Sequence, residues 1–405
     1  MKNNIKTDVV IIGGGPAGMM AASCLKDRNR RVILLEKNDR LGKKLLITGK
    51  GRCNVTNNCS SDELIKATVT GGRFLYSAFS SFSSADTMEY FESSGVPLKT
   101  ERGNRVFPVS DKASSILEAM KRNLGNTEII YESAISVKEG FTVETENYTV
   151  ECESVIIATG GASYQRTGSS GDGYLFAERL GHTVVPIKPA LIPIVTEEKD
   201  ASEMQGLSLK NVVLSLYKKD RKKPLYSEMG EMLFTHFGIS GPLVLTASCY
   251  IKDDPRDYRV DIDLKPALNK EMLHNRILRD FEENKNKALS NVLPLLLPKA
   301  LVPVIMKRIG VDPLKKVNSI TLQEREALVE NLKALSFTVS SLRPIEEAII
   351  TSGGIKTSEI DPKTMESKIC GGLFFAGEII DVNALTGGFN LQIAFSTGYS
   401  AGMNA

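Results

Sequence analysis

The 405-residue chain has no long apolar run, no C-x-x-C motif and no strong excess of charge of either sign. Near the N-terminus its longest apolar run, Val9 to Ile12, is far short of the ~20 residues that a membrane span requires. Asp8 and the glycines after Ile12 also interrupt the apolar stretch that a secretory signal would need. These absences predict a soluble, cytoplasmic protein that makes no contact with membranes.

Histidine and cysteine are sparse and scattered. The histidines stand at positions 182, 236 and 274, and no two of the 6 cysteines have the spacing of a zinc ribbon or a redox dithiol. We therefore expect no metal site, and isolated thiols are typical of a reducing compartment. The net charge of +3 does not by itself indicate binding to nucleic acid. Apolar residues make up 42% of the chain, which is enough for folded domains and excludes a disordered protein.

The start of the chain predicts a strand–turn–helix–strand unit. Residues 5–12 have the pattern of a buried parallel strand, 19–28 that of a helix, and 31–36 that of a second strand. Further strands are expected at 127–131, 141–151, 153–158 and 373–377, and further helices at 112–124 and 391–401. This alternation is typical of an α/β fold with a doubly wound sheet.

A different pattern begins beyond Pro186. Residues 191–264 contain strand-like runs with turn signals and no helical periodicity, whereas 269–335 have a helical pattern that prolines interrupt. Strand and glycine signals return from Phe337. We therefore predict one sheet domain interrupted by an inserted domain, which has a β part followed by a helical part.

The turn after the first strand has the pattern of a dinucleotide site. Gly13, Gly15 and Gly18 form a G-x-G-x-x-G motif between strand and helix, and Glu36 ends the second strand. Gly13 permits the tight turn, Gly15 lets the backbone approach a pyrophosphate, and Gly18 lets the helix pack on the strand. Free N–H groups at the helix start would bind the phosphates, and Glu36 would accept hydrogen bonds from a ribose. The alternative is a glycine-rich turn in an unrelated α/β fold.

Two later segments favour FAD over NAD as the dinucleotide. They are Thr159-Gly160-Gly161 after the strand at 153–158, and Gly377-Glu378 with Asp381 after the strand at 373–377. FAD is long, so a second segment must hold its ribityl chain and flavin. Asp381 would bond ribityl hydroxyls, and the helix that follows would point its positive N-terminus at the flavin. Since no second strand–G-x-G-x-x-G–helix unit followed by an acid is present, NAD(P)H would have no domain of its own.

These motifs give the chain a resemblance to a known family. It resembles the bacterial BaiN/RdsA or YhiN-like NAD(P)/FAD-dependent oxidoreductases, also labelled aminoacetone oxidase family FAD-binding enzymes. The resemblance covers essentially the whole chain and rests most on G-R-C-N-V-T-N at 51–57, F-T-H-F-G-I-S-G-P at 234–242, T-M-E-S-K at 364–368 and G-G-F-N-L-Q at 387–392.

The resemblance implies a domain organisation. A discontinuous Rossmann-like FAD-binding domain would comprise residues 1–190 and 336–405. The insert, 191–335, would have a β-barrel-like part at 191–266 and a helical subdomain at 267–335.

The resemblance and the motifs together assign a set of residues to FAD. Arg52 would offset phosphate charge, and Asn54 would bond the flavin or the ribityl chain. Cys53 is either a redox thiol or, as we favour, a small buried residue under the cofactor. Lys43 and Lys44 would reach the adenosine end or remain solvated, and Ala134 and Ile135 would offer backbone groups to adenine. The full set is Gly13, Gly15, Pro16, Ala17, Gly18, Glu36, Lys37, Lys43, Lys44, Gly51, Arg52, Cys53, Asn54, Ala134, Ile135, Thr159, Gly160, Gly161, Gly377, Glu378, Asp381, Gly388, Asn390, Leu391 and Gln392.

Three further residues are candidates for catalysis. Tyr164 would donate a proton to the carbon opposite the hydride. His236 would approach the flavin from the insert, or is a structural histidine. Arg105 would hold a carbonyl or phosphate of the substrate, or is a surface arginine. The resemblance implies that reduced flavin saturates an activated carbon–carbon double bond, with NAD(P)H as the transient electron donor.

The sequence leaves the substrate, the electron donor and the oligomeric state open. An enone-type metabolite such as a bile-acid intermediate and a uridine of ribosomal RNA are both implied by branches of the family. The alternatives are an amine or aminoketone oxidase that uses oxygen, and a flavin-bearing RNA-binding factor. The basic run at 218–223, between two strand-like runs, is either a solvated hairpin tip or an RNA contact.

Overall fold

Strands occur in three groups along the computed structural model, which describes residues 2–405. The first group is β1 (Asn3–Lys6), β2 (Val9–Ile12), β3 (Val32–Leu35), β4 (Thr56–Asn57), β5 (Thr68–Thr70), β6 (Leu98–Glu101), β7 (Arg105–Pro108), β8 (Glu128–Ile130), β9 (Ser136–Lys138), β10 (Thr142–Glu144), β11 (Tyr148–Glu151), β12 (Ser154–Ile157) and β13 (Val184–Ala190). The second is β14 (Ile194–Thr196), β15 (Ser208–Lys218), β16 (Tyr226–Thr235), β17 (Gly238–Ser240), β18 (Tyr258–Asp263) and β19 (Leu335–Leu342). The third is β20 (Ile350–Ile355), β21 (Leu373–Phe375) and β22 (Asn383–Ala384).

Helices connect these strands. They are α1 (Pro16–Leu25), α2 (Lys43–Ile47), α3 (Ser61–Lys66), α4 (Tyr76–Ser81), α5 (Ser84–Ser93), α6 (Ala113–Arg122), α7 (Asp172–Arg179), α8 (Asp200–Glu203), α9 (Pro242–Ser248), α10 (Lys270–Glu283), α11 (Leu289–Val292), α12 (Val302–Ile309), α13 (Leu322–Lys333) and α14 (Phe389–Asn404). Of the helices within residues 2–405, none has both the length and the apolar character that crossing a bilayer requires.

The chain divides into two units. One runs up to Ala190 and resumes at Pro344–Ala405, and the other is Leu191–Arg343. The boundary expected at residue 336 falls inside β19, which pairs with β14 and β18 of the second unit. The second unit therefore extends to the end of that strand, because removing β19 would open its sheet.

The first unit is built on a five-stranded parallel sheet of order β21-β12-β2-β3-β8. The β2 and β3 segments are continuous apolar runs, V-V-I-I and V-I-L-L, and every one of their side chains is buried. Parallel strands that are covered on both faces have this composition. The predicted α/β fold class is confirmed.

The single strand predicted at 5–12 is wrong, because the structure has two strands there. The strand breaks at Thr7 and Asp8, where β1 pairs with β11 and β2 pairs with β3. The Asp8 and Val9 N–H groups both donate to the Arg31 carbonyl, at 3.1 Å each, so the chain changes partners at this point. The strand expected at 141–151 is likewise two antiparallel strands, β10 and β11, joined by a turn. A continuous apolar run or an alternating pattern indicates a strand. It does not show where the strand changes its pairing partner or turns back.

The second unit contains a closed antiparallel barrel of order β14-β17-β16-β15-β18-β19. Alternate side chains fill its interior, among them Leu214, Phe234 and Phe337, which are completely buried. The region before residue 267 also contains helix α9, which the sequence did not predict. It spans only 7 residues, less than the window in which a helical period can be recognised, and its one signal is Pro242 at the first turn.

Candidate functional site

The carboxyl ends of four neighbouring parallel strands bring predicted residues to one edge of the sheet. Gly13 follows β2, Glu36 follows β3, Thr159 follows β12 after Ala158, and Gly377 follows β21 after Ala376. In open α/β sheets, ligands bind outside this edge. The candidate site therefore lies in the first unit.

The glycines of the first turn have two different surroundings. A Cβ on Gly13 would lie 2.5 Å from the Ala158 carbonyl oxygen, and one on Gly18 would lie 2.0 Å from the Gly13 carbonyl oxygen. A Cβ on Gly15 would meet nothing within 4 Å. Helix α1 starts directly after Gly15, with Pro16 in its first turn, no side-chain cap and no acidic residue there. The open space at Gly15 and the uncapped helix N-terminus fit a pyrophosphate.

Glu36 is held against this turn. The residue is 7% exposed, and its Oε2 accepts a hydrogen bond of 2.9 Å from the Gly14 N–H. Its Oε1 accepts from the Asn38 backbone and side chain at 2.8 and 2.6 Å. Lys37, in contrast, forms an ion pair of 2.6 Å with Asp172. These contacts orient the Glu36 carboxylate beside the turn and leave a cofactor contact by Lys37 without support.

The second glycine-rich segment touches the first. Gly377 has φ of +80°, and a Cβ there would lie 2.9 Å from the Ala17 Cβ. The Gly377 N–H donates to the Thr397 hydroxyl at 2.8 Å, which ties the segment to helix α14. Asp381, which follows in the same segment, donates its N–H to the Ile355 carbonyl at 2.9 Å. Two motifs from opposite ends of the chain thus form one surface.

Glu378 is the centre of a polar cluster at this surface. Its Oε2 forms an ion pair of 2.7 Å with the Lys44 ammonium, and its Oε1 accepts from the Thr351 N–H at 2.8 Å. Lys44 also donates to the Ser163 hydroxyl at 2.8 Å. A Cβ on Gly161 would lie 2.4 Å from the Thr351 Oγ1, so the loop of Gly160 and Gly161 borders the same cluster. The Lys44 ammonium thus bonds Glu378 and Ser163, and its expected contact with the adenosine end of FAD stays a prediction.

Lys43 and the 134–135 segment lie apart from that cluster. Lys43 forms an ion pair of 2.7 Å with Asp39, one helical turn away. The Ile135 N–H donates to the Glu144 carbonyl at 2.7 Å, and the Ile135 side chain is exposed. The Ile135 N–H is thus engaged within the protein, and the adenine contact through the backbone of Ala134 and Ile135 stays a prediction.

Helix α14 begins at the G-G-F-N-L-Q motif. Gly388 has φ of +95°, and a Cβ there would lie 2.4 Å from the Thr56 carbonyl. No side chain caps the helix and its first turn has no acidic residue, so the N–H groups of that turn are open to a partner. That this helix N-terminus faces the flavin stays a prediction.

Two side chains of that motif have a structural role. Gln392 is completely buried, and its Oε1 accepts from the Thr56 and Thr87 hydroxyls at 2.6 and 2.9 Å. Its Nε2 donates to the Phe82 carbonyl at 3.1 Å and the Ser396 hydroxyl at 2.9 Å. The Asn390 amide bonds the Ala384 backbone N–H and carbonyl at 3.0 and 2.8 Å. These bonds tie both amides to the protein, Leu391 packs against the apolar core, and the contacts of Gln392, Asn390 and Leu391 with FAD stay predictions.

The structure gives the surroundings of three residues of the G-R-C-N segment, and Cys53 is buried in it as the favoured interpretation expects. Arg52 bonds Glu101 at 2.5 Å and Asp111 at 2.6 Å, and its guanidinium lies 4.1 Å from the Phe107 ring centroid. Two carboxylates thus balance the charge that was expected to offset phosphate. Cys53 is completely buried, which raises the pKa of its thiol to about 12, so the nucleophilic thiolate is absent at neutral pH. Gly51, with φ of +86°, only continues the turn.

Several buried polar side-chain atoms have no hydrogen-bond partner in the part of the chain that the structure describes. Within residues 2–405, the Asn54 Oδ1, the Thr159 Oγ1 and the Asn383 Oδ1 are buried and make no hydrogen bond. Leaving such an atom unsatisfied costs about 1–3 kcal/mol, so each position favours a bound polar partner. A long ligand with hydroxyl and ring N–H groups, such as FAD, would supply them.

The three candidates for catalysis have unequal support. Tyr164 has φ of +52° and directly follows Ser163, which bonds Lys44 in the polar cluster. Arg105 is exposed on β7 and donates to the Arg102 carbonyl at 3.0 Å, as a surface arginine does. His236 belongs to the second unit, where it is exposed and its ring lies edge-on to Phe237, with centroids 4.9 Å apart. Only Tyr164 is therefore placed beside the cluster at Glu378.

Comparison with known proteins agrees with this geometry. The model of the family described as "HI0933-like protein Rossmann domain" matches residues 7–404. The chain belongs to this family. It is 29% identical to a 3-dehydro-bile acid delta(4,6)-reductase of Clostridium scindens, over 98% of this chain and 98% of that protein. It is also 29% identical to ribosomal RNA dihydrouridine synthases of Escherichia coli, over 97% of this chain and 96% of that protein, and of Haemophilus influenzae, over 98% and 97%.

The resemblance drawn from the motifs is confirmed by these matches, and the protein is an FAD-dependent oxidoreductase of the HI0933-like family. Sequence reasoning nevertheless missed Ser163, Thr351 and Asn383. Ser163 and Thr351 lie 215 and 27 positions from Glu378, so no short-range spacing connects them to it, whereas Asn383 follows Glu378 closely but belongs to none of the motifs. Within residues 2–405, no group of three or more His, Cys, Asp or Glu side chains is placed to hold a metal ion.

Proposed function

We propose that this protein uses FAD and NAD(P)H to reduce an activated carbon–carbon double bond. The observation that carries the proposal is the contact of Gly377 with Ala17, because it joins the open pyrophosphate cradle to the segment that leads into helix α14. The names of two relatives, a bile acid delta(4,6)-reductase and a dihydrouridine synthase, support a reduction of this type.

Each part of the site would have a distinct task. The N–H groups at the start of α1 would hold the pyrophosphate, Glu36 a ribose, and the N-terminus of α14 the flavin ring. When bound, FAD supplies the hydride chemistry. Lys44 and Glu378 fix the loop that carries Tyr164, and the phenol of Tyr164 would hold the proton for the second carbon of the double bond.

Redox spectroscopy distinguishes a double-bond reductase from an oxidase. Anaerobic NADPH or NADH should bleach the visible flavin absorbance of the FAD-loaded protein, and an enone or RNA substrate should restore it without oxygen. Hydrogen peroxide formed from an amine, with no consumption of NAD(P)H, would instead identify an amine oxidase. Tight binding of RNA with no reoxidation of the flavin would indicate a binding factor.

RNA is the substrate that we favour, on account of the hairpin between β15 and β16. Lys218 forms an ion pair of 2.5 Å with Asp253, and Lys219 lies 4.0 Å from Asp257. Arg221, Lys222 and Lys223 are exposed, and none has an ion pair within residues 2–405. Three uncompensated cations at one tip favour contact with a phosphate backbone.

The length of β16 gives the distance between the basic tip and His236. The strand has 10 residues, and its far end leads into His236. At about 3.3 Å per residue, the basic tip and His236 lie roughly 30 Å apart. A phosphate backbone can span this distance along the strand, whereas a small enone cannot.

Replacing Arg221, Lys222 and Lys223 with serine should weaken RNA binding. For single-stranded RNA the slope of log K against log salt should become shallower by about 0.7 for each phosphate that is no longer neutralised, hence by about 2 in all. FAD content and thermal stability should stay unchanged, because these side chains are exposed. The measurement is a salt titration of RNA binding by fluorescence anisotropy.

The double substitution of Lys218 and Lys219 by serine is the matched control, since both lysines lie close to carboxylates. Its slope should change less than that of the triple variant. An unchanged slope in the triple variant would show that the tip is only a solvated turn, and a small enone would become the favoured substrate.

A further inference from the structure

A buried chain of polar side chains lies behind the edge strand of the parallel sheet. The His182 ring forms one hydrogen bond in it, to Ser367, and its Nδ1 is buried without a hydrogen-bond partner among the described residues, 2–405. The His182 side chain is completely buried in the loop after α7. Its Nε2 lies 2.8 Å from the Ser367 hydroxyl, and its Nδ1 lies 3.4 Å from the Glu359 Oε2. The ring packs edge-on against Phe375, with centroids 4.8 Å apart. The site described above uses neither this chain nor the T-M-E-S-K motif that contains Ser367.

The hydrogen bonds of Ser367 indicate which atoms of Ser367 and His182 carry a proton. Its hydroxyl oxygen accepts from the Ile369 N–H at 3.0 Å and from the Cys370 N–H at 2.9 Å. A hydroxyl has two lone pairs and one proton, so the proton remains to be donated to His182 Nε2. The imidazole is therefore neutral, with its own proton on Nδ1 facing Glu359. The Glu359 carboxylate also accepts from the Thr183 N–H at 2.8 Å.

Ser367 is part of the outer neighbour of β21. The Ser367 N–H donates to the Leu373 carbonyl at 2.7 Å, and the Phe375 N–H donates to the Met365 carbonyl at 3.0 Å. The other edge of β21 pairs with β12, and its end leads directly to Gly377 and Glu378. A displacement of Ser367 would therefore be passed along the strand to the second glycine-rich segment.

We propose that His182, acting through Ser367, is a positioning residue that makes the binding of FAD dependent on pH. The proposal rests on the proposed function, because it concerns the segment that would hold FAD. A proton on Nε2 would place three N–H donors around the Ser367 oxygen, which has two lone pairs, and the hydroxyl proton would lose its acceptor. The turn at 367–372 would then loosen, and β21 would lose its outer support.

The surroundings of His182 keep the ring neutral near pH 7. Burial lowers the pKa of His182, and the nearby Glu359 opposes this effect without reversing it. The other charged or titratable groups at the site are Lys356 and Lys368 beside Glu359, and the thiol of Cys370 in the turn. Because the unfolded histidine takes up a proton first, with a pKa near 6.5, the folded state loses stability as pH falls below that value.

The test is the FAD dissociation constant between about pH 4.5 and about pH 8, because the range in which histidine ordinarily titrates, about pH 5 to 8, must be extended downward for a histidine whose pKa is lowered. For the native sequence, FAD binding should weaken only once the pH falls through the pKa of the folded His182, which burial holds below 6.5, and by at most about tenfold per pH unit for one proton. His182→Gln should abolish this dependence, since a carboxamide oxygen can accept from Ser367 and takes up no proton. His274→Gln, which alters a histidine of the second unit, should keep the native profile. A flat native profile, or a native-like profile in His182→Gln, would overturn the proposal.

Two further measurements test the role of His182 even if the His182→Gln variant does not fold or does not bind FAD. If His182→Gln does not fold, Ser367→Ala removes the oxygen on which the donors converge and should flatten the profile; a native profile in that variant would contradict the proposal. The thermal midpoint of the FAD-free protein should fall below about pH 6.5 in the native chain and not in His182→Gln. A chain that binds no FAD at any pH would refute the proposed function, whereas pH-independent FAD binding would refute only the role of His182.

Discussion

Gly15→Val should abolish FAD binding while the chain remains folded. A Cβ at this position meets no protein atom within 4 Å, and Gly15 has φ of −83°, which any residue adopts. The valine side chain would instead occupy the space in which the backbone approaches a pyrophosphate. We expect FAD affinity to fall at least about 100-fold, which corresponds to about 2.7 kcal/mol. Fluorescence titration with FAD and thermal unfolding of the FAD-free protein measure the two effects.

Gly18→Val is the matched comparison in the same motif. Its Cβ would lie 2.0 Å from the Gly13 carbonyl oxygen, so this variant should lose the fold as well as the cofactor. Native-like FAD affinity in Gly15→Val would show that the open space beside Gly15 is not the pyrophosphate site.

Gly398→Val should strongly destabilise the first unit. Helix α14 crosses α1 at Gly398 and Gly402, where added Cβ atoms would each lie 2.4 Å from a backbone oxygen, of Ala17 and of Ala21 respectively. Backbone atoms cannot rotate aside as a flexible side chain can, so the helices must separate. We expect a loss of about 3 kcal/mol in unfolding free energy, measured by denaturant titration.

Gly371→Val provides the control for Gly398→Val. Gly371 is exposed, and the nearest atom to its added Cβ is the Glu366 Oε1 at 3.9 Å. This variant should change stability by no more than about 0.5 kcal/mol. Equal stability of the two variants would show that the close crossing of α1 and α14 is not required.

The sequence could predict the parts of the site that local spacing encodes. The turn from Gly13 to Gly18 and the acid at Glu36 are defined by one strand, one helix and a short interval, so their pattern identified both the geometry and the ligand class. The glycine of the second segment, Gly377, was recognised for the same reason.

The partners of side chains could not be predicted, because the sheet brings them together over long distances in the chain. Gln392 reaches Thr56 across 336 positions, and His182 reaches Ser367 across 185. Arg52 is a further example: its motif indicates phosphate, which stays a prediction, and the sequence does not show that Glu101 of β6 and Asp111 after β7 lie beside it. A motif names a residue type at a backbone position, and only the tertiary structure determines what that side chain contacts.

The reaction product tests the central claim most directly. FAD-loaded protein should be incubated anaerobically with NAD(P)H and either ribosomal RNA or an enone, and the product analysed by mass spectrometry. We predict a gain of two hydrogens in a single double bond, with one NAD(P)H consumed for each product molecule, and with a uridine of the RNA as the favoured position. A substrate that loses two hydrogens, or a protein that turns over NAD(P)H while both substrates stay unchanged, would contradict the assignment as a double-bond reductase.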